Sequence, residues 1–297
     1  MKVLVSGASG FLGKHLVTRL RDDGSEVIRL VRRPARAEDE AQWRPAAHEL
    51  DPAILDGADA VINLSGAAVG DKRWSAAYKK VILDSRLDTT ATVAAAAATA
   101  EHRPKVLLNA SGIDWYGDTG EHAVDESAQA GDGGYLTTVT HQWEAATGPA
   151  GDAGVRVVTL RTGLVLAASG GLLKRMLLPF RLGLGGRLGG GQQYMSWISL
   201  ADWLSAVVFL LDHDINGPVN LTAPHPETNA DFTRVLGRAL ERPALLPVPR
   251  FALRVGLGEF SEQAVASMRV LPGVLTRAGY AFGHPELRPA LDWALSH

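Results

Sequence analysis

Residues 1–16 read MKVLVSGASGFLGKHL. Lys2–Ser6 is a short apolar run rich in Val and Leu, long enough for one buried strand. It runs straight into Gly7, Gly10 and Gly13, and residues 14–20 then carry a helical pattern. Strand, tight glycine turn and helix, in that order, is the setting in which a glycine fingerprint binds a dinucleotide. Gly7 permits the sharp turn, Gly10 lets the backbone approach a pyrophosphate, and Gly13 lets the helix lie close to its strand. The helix N-terminus offers free N–H groups and a partial positive charge to the phosphates. Gly7, Ser9, Gly10, Phe11, Leu12 and Gly13 are therefore expected to bind the cofactor.

Strand-like and helical patterns alternate onward from this turn. Residues 26–31, 60–64, 106–110 and 155–160 read as strands, with helical stretches at 74–100 and 136–146. The alternation predicts an α/β protein, a Rossmann-type doubly wound parallel sheet with helices on both faces. Ligands on such a sheet bind beyond the carboxyl ends of the strands, so function is expected just after Ser6, Val31, Leu64, Ala110 and Leu160. The pattern changes after Leu166. Residues 172–182 are apolar but broken by Pro179, and LGLGGRLGGGQQ (182–193) is too Gly-rich for an element interior. Residues 199–212 are helical again, 219–221 suit one more strand, and 223–297 are helical with frequent prolines. The expected division is a dinucleotide-binding domain of residues 1–165, rejoined by 196–222. Residues 166–195 and 223–297 would form a smaller, mostly helical substrate lobe. The glycines of 183–191 leave two readings open, a mobile cover over the cleft and a flexible surface connection. The alanine run 94–98 is expected on a solvent-edge helix, Ala being the best helix former.

The chain has 297 residues, is 46% hydrophobic, carries a net charge of -2 and has no cysteine. That suits one large α/β domain, alone or with a smaller lobe. No large block of one charge sign suggests a nucleic-acid surface. Without cysteine there are no disulfides, thiolate nucleophiles or Cys-ligated zinc, and no metal site is expected. The first apolar run stops at Ser6 and Gly7, too early for a signal peptide, and no unbroken apolar segment is long enough to span a bilayer. A cytoplasmic protein acting on a small molecule, as monomer or homodimer, is the expectation.

The second strand ends in LVRRPAR (30–36). An NAD-binding fold usually places an acid there for the ribose 2′-hydroxyl. Arg32 and Arg33 stand there instead, and a guanidinium suits a 2′-phosphate. NADP(H) is the expected cofactor, with a solvated basic loop as the bland alternative. Leu64, Ser65, Gly66 and Ala67 follow the next strand. They would pass under the cofactor's riboses, where small residues let the backbone come close, or form an ordinary loop exit.

Further motifs complete a set with GASGFLG (7–13), VRRP (31–34) and NLSG (63–66). They are Arg73-Trp74, Ser85-Arg86, ASGIDWYGDTG (110–120), Trp143-Glu144, LRTGLVL (160–166), LLPFRLGLGGRLGGGQQYMSWISLAD (177–202), LTAPHPETNADFTR (221–234) and RPALLPVP (242–249). Over nearly the whole chain the set resembles the atypical, extended-type short-chain dehydrogenases loosely called the epimerase family. The resemblance implies a Rossmann fold, NADP(H) binding with Arg86 at the cofactor, and a substrate that the family does not fix. In that superfamily a Ser or Thr at this strand end bonds the substrate oxygen. Ser111 matches when Tyr116-Gly117 is set against the family's Tyr-Gly pair, with one extra residue between. Ser111, and Tyr116 in the same loop, are thereby implied as catalytic.

The chain departs from extended short-chain enzymes in one respect. Those enzymes use YxxxK, in which Lys lowers the Tyr pKa so that the phenol can exchange a proton near neutrality. Counting back from Glu144 puts the Tyr at Leu136 and the Lys at Thr140. Tyr135 is one residue away, but Val139 stands four residues on. Tyr135 is expected as a core aromatic and His141 as an exposed helical residue. Asp202 is expected to cap or pack, and Arg161 either to face the ligands or to form an ion pair. The function expected is that of an NADP(H)-dependent oxidoreductase or epimerase-like enzyme moving hydride on a carbonyl, alcohol or activated alkene. The missing pair favours the alternative, a non-catalytic NADP(H)-binding sensor or regulator, while the intact cleft loops favour the enzyme.

Overall fold

The computed structural model describes the backbone of residues 1–297 and every side chain except that of Leu257. Seven strands form one sheet: β1 Lys2–Ser6, β2 Glu26–Val31, β3 Glu40–Gln42, β4 Ala60–Asn63, β5 Val106–Gly112, β6 Arg156–Thr162 and β7 Gly217–Leu221. Their order is β7-β6-β5-β4-β1-β2-β3, and every neighbouring pair is parallel. The order reverses beside β1, which opens a crevice at the carboxyl ends of β1 and β4.

β1 is central because both of its faces are apolar. Val3 and Val5 join one core with Leu16, Val17 and Leu20 of helix α1, Phe11–Asp22. Leu4 joins the other with Val93, Ala94, Ala96 and Ala97 of helix α2, Ala76–Thr99. β4 and β5 divide the same way, Ala60, Ile62, Val106 and Leu108 against Val61 and Leu107. Successive strand residues point to opposite faces. Each large aliphatic side chain so buried contributes about 1.5–3 kcal/mol.

The alanine run does not lie at a solvent edge. Ala94 is 0%, Ala96 3% and Ala97 0% exposed, pressed against the sheet. Helix propensity says nothing of which face a residue occupies, and here small side chains let α2 lie close to the strands. A third core gathers Leu173, Leu177, Phe180, Trp197, Phe232, Leu236, Leu287 and Leu291. It draws together helices Gly171–Arg181, Asn229–Ala239 and Leu287–Ser296. Pro179 does not break the first of these. It stands in the last turn, where its missing N–H removes one bond from a helix that ends two residues later.

The glycines near residue 186 are packed rather than loose. A Cβ on Gly186 would lie 1.4 Å from the Leu246 carbonyl oxygen, and one on Gly185 would lie 2.5 Å from the Phe180 ring. The Gly189 amide donates to the Val248 carbonyl at 2.9 Å, and the Val248 amide to the Arg187 carbonyl at 2.8 Å. Close approach of two backbones, not freedom of motion, requires glycine here.

Candidate functional site

The phosphate end is built by close approach. Gly7 adopts φ +68°, and a Cβ there would lie 2.7 Å from the Leu64 carbonyl carbon and oxygen. A Cβ on Gly13 would lie 2.2 Å from the Gly7 carbonyl oxygen. The Gly10 amide donates to that same oxygen at 2.9 Å and closes the turn. Helix α1 begins after Gly10 with no side-chain cap and no acid in its first turn. Its first N–H groups are therefore open to an anion. Ser9 and Gly10 are exposed at this mouth, whereas Phe11 and Leu12 are half-buried and pack against the core.

At the other end of the crevice the two arginines differ. Arg33 donates Nη1 to Glu40 Oε2 and Nη2 to Glu40 Oε1, both at 2.7 Å. The Arg36 amide donates to Glu40 at 2.9 Å, and Arg29 lies 3.1 Å from the same carboxylate. Arg33 and the Arg36 amide hold the Glu40 carboxyl down to about 2. Arg32 is exposed and has no hydrogen bond or ion pair among the described residues. The acid missing from the end of β2 thus stands in β3, committed to arginine rather than offered to a ribose.

Between these ends lies a buried polar network. Ser6 Oγ donates to Asn63 Oδ1 at 2.5 Å, and Ser65 Oγ to Ser6 Oγ at 3.0 Å. Asn63 Nδ2 donates to Thr90 Oγ1 at 3.0 Å and to Asn109 Oδ1 at 2.7 Å. Trp143 Nε1 donates to Thr90 Oγ1 at 2.9 Å. These bonds tie the ends of β1, β4 and β5 to α2 and to helix α3, Tyr135–Ala145. A satisfied network of this kind fixes geometry. Arg86 of α2 walls the crevice. Its Nη1 donates to the carbonyls of Ala67 at 2.9 Å and Ile82 at 3.0 Å, and its guanidinium stands 4.8 Å from the Trp143 ring centre. Burial lowers its pKa. A Cβ on Gly66 would lie 3.3 Å from Arg86 Cγ, so Gly66 is the residue that leaves this side chain room.

Beyond β5, Ser111 and Tyr116 belong to one chain of bonds. Ser111 Oγ donates to Glu144 Oε1 at 2.6 Å. Glu144 accepts Arg161 Nε and Nη2, each at 2.8 Å, and Arg161 Nη1 donates to the Tyr116 hydroxyl at 3.0 Å. That hydroxyl donates to Asn220 Oδ1 at 2.8 Å. Tyr116 is 4% exposed, and burial raises its phenol pKa. The expectation that its hydroxyl serves a substrate therefore meets a buried group with both partners taken. Arg161 takes the ion-pair role. The Tyr135 hydroxyl donates to the Lys79 carbonyl, and His141 Nε2 lies 3.1 Å from the Trp115 carbonyl oxygen. Asp202 packs rather than caps: Ser199 is the cap of the helix, accepting the Asp202 amide at 3.0 Å and donating to Asp202 Oδ2 at 2.9 Å, while Asp202 Oδ1 accepts the Gly283 amide at 2.7 Å. Leu136 and Thr140, where YxxxK would stand, are buried.

A family model described as the NAD dependent epimerase/dehydratase family matches residues 3–222. The chain belongs to this family. Residues 248–294 match a domain of unknown function, DUF1731. An epimerase family protein of Mycobacterium leprae, ML0860, is 44% identical over 295 residues, 98% of this chain and 95% of that protein. The mouse epimerase family protein SDR39U1 is 36% identical, over 98% of each chain. The crystal structure of human SDR39U1 (isoform 2) with NADPH superposes with a TM-score of 0.92 at 33% identity and covers 100% of both chains. Within the epimerase/dehydratase family, the Gly7–Gly13 cradle and the uncapped α1 fit a dinucleotide. Sequence reading missed the partners Glu40 and Glu144 and the carboxyl of Asp114. Asp114 lies within ASGIDWYGDTG (110–120), but nothing local marks where its side chain goes.

Proposed function

We propose that the protein is an NADP(H)-dependent oxidoreductase or epimerase-like enzyme of the extended short-chain type, moving hydride on a carbonyl, alcohol or activated alkene of a small molecule. The observation that carries this reading is Arg32, an exposed cation without a partner among the described residues at the end of β2. Gly7, Gly10, Gly13 and the first turn of α1, with Ser9, would hold the pyrophosphate, and Arg32 and Arg33 the 2′-phosphate. Leu64 to Ala67 would pass beneath the riboses beside Arg86. When bound, the cofactor supplies the hydride. Ser111 would polarise the substrate oxygen, for which its O–H must turn from Glu144. Residues 1–165 with 196–222 would carry the cofactor, and 166–195 with 223–297 the substrate. The separate third core supports that division. The absence of cysteine supports a cytoplasmic setting, where we expect a monomer or homodimer.

The test is a paired titration. A ligand at a hundred times its Kd adds about 2.7 kcal/mol to stability, so at equal concentration NADPH should raise the melting temperature more than NADH. Equal shifts would overturn the cofactor preference. NADPH consumption is then followed with a panel of carbonyl compounds and enones. The buried Leu136 and Thr140 favour a second reading, an NADP(H)-binding sensor. Multiple-turnover loss of NADPH with a metabolite extract would exclude it.

A further inference from the structure

We infer that Asp114 is the general acid of this site, its carboxyl standing over Gly112 where the tyrosine–lysine pair is missing. The role rests on the hydride-transfer reading above. Asp114 lies in the short turn Ile113–Tyr116 that follows β5. A Cβ on Gly112 would lie 2.9 Å from Asp114 Oδ2 and 3.6 Å from Thr140 Cγ2. The carboxyl therefore occupies the space above the end of β5, and Thr140 borders that space from α3. Thr140 is the position at which the lysine of YxxxK would fall. Its hydroxyl is turned away, donating to the carbonyls of Leu136 at 3.1 Å and Thr137 at 2.9 Å. The α3 atom nearest to that space is the Thr140 methyl, and Asp114 fills the space from the loop.

Its surroundings suit the task. Gln263 Nε2 donates to Asp114 Oδ1 at 2.5 Å, which fixes one oxygen and leaves Oδ2 toward Gly112. The charged group that acts on it is Arg86 of α2, whose Nη1 is occupied by backbone carbonyls, so the cation acts through space. No ion pair neutralises Asp114 among the described residues. Loss of hydration pushes its carboxyl up to about 6, against the pull of its own backbone amide, Arg86 and Gln263. A catalytic acid works best with a pKa near the operating pH.

The step balances simply. As hydride reaches the carbonyl carbon, the C=O π pair moves to oxygen. Asp114 breaks its O–H bond and gives that oxygen the proton. The carbonyl is reduced by two electrons to an alcohol, NADPH is oxidised to NADP⁺, and water reprotonates the aspartate. In the reverse direction the carboxylate takes the alcohol proton.

The experiment has two arms on the full-length protein. In the first, carboxyl-¹³C aspartate is incorporated, and the Asp114 resonance is assigned by its loss in Asp114→Asn. It should titrate near 6 without cofactor and respond to NADP⁺; titration at the ordinary value of about 4 would overturn the inference. In the second arm, NADPH consumption by Asp114→Asn should fall by about 10²–10⁴ with NADPH affinity kept, which also reports correct folding. Gln263→Leu removes a bond that favours the carboxylate, so the fall of kcat with rising pH should move to higher pH. A merely structural tie between the loop and Gln263 would change stability and leave that midpoint in place. Full activity in Asp114→Asn, with an active wild type, overturns the acid alone. A wild type inert to every carbonyl overturns the hydride reading and the acid with it.

Discussion

Two adjacent arginines, Arg32 and Arg33, differ in what each has left to give. Arg33 is matched by Glu40, while Arg32 has its five donors uncommitted among the described residues. Arg32→Ala should weaken NADPH binding by about tenfold or more, since a bond to a charged group contributes roughly 1.5–3 kcal/mol, and leave NADH binding unchanged. Arg33→Ala should do something different. It strips Glu40 of its bidentate partner and sets a carboxylate near the 2′ position, moving preference toward NADH. Fluorescence titration of both cofactors against both variants checks this, and identical behaviour of the two variants would refute it. Glu144 invites a second prediction. Its side chain and that of Arg161 are 10% and 3% exposed, so neither charge can be left alone. Glu144→Gln should cost about 3–5 kcal/mol, read by urea denaturation, because it leaves a buried guanidinium without its counter-charge.

At the scale of elements, the cradle was legible because its constraint is local. Gly7 needs its positive φ, and Gly13 needs room against a carbonyl six residues back, so the spacing alone reports the shape. Gly13→Ala should therefore displace α1 from β1 and abolish NADPH binding while leaving much of the far side of the sheet intact. Amide exchange that rises in α1 but not in β5 or β6 would bear this out. Strands β1, β4 and β5 were legible for a related reason, each being an apolar run buried on two faces. What the sequence left open depends on distance. The face on which Ala94, Ala96 and Ala97 lie is decided by the sheet, not by α2. β3 has only three residues and no period to read, so Glu40 was invisible as the partner of Arg33. Gly186 looked like slack because Leu246, whose carbonyl oxygen it meets, is sixty positions away.

Across the whole molecule, opposed carboxyls set the response to pH. Glu40, held down by Arg33, contributes stability that is present above its unfolded pKa and is lost as pH falls toward 2. Asp114, raised by burial, does the reverse. Its contribution is full below about pH 4 and is lost as pH rises through about 6. Between pH 4 and 7 the wild type should therefore lose about 1–3 kcal/mol that Asp114→Asn does not lose. Denaturation midpoints at a series of pH values test the slope, and parallel curves for the two proteins would count against a raised Asp114.

Asp114 and Gln263 meet across a sequence separation of 149. On a ribosome adding roughly 5–20 residues per second, the glutamine is made roughly 7–30 s after the aspartate. The glycine cradle and the arginines are thus synthesised well before the residue that fixes Asp114 Oδ1. The turn that closes the glycine cradle lies within residues 7–10, whereas the partner of the carboxyl comes only with the late part of the chain, so a chain released before Gln263 would lack that hydrogen bond.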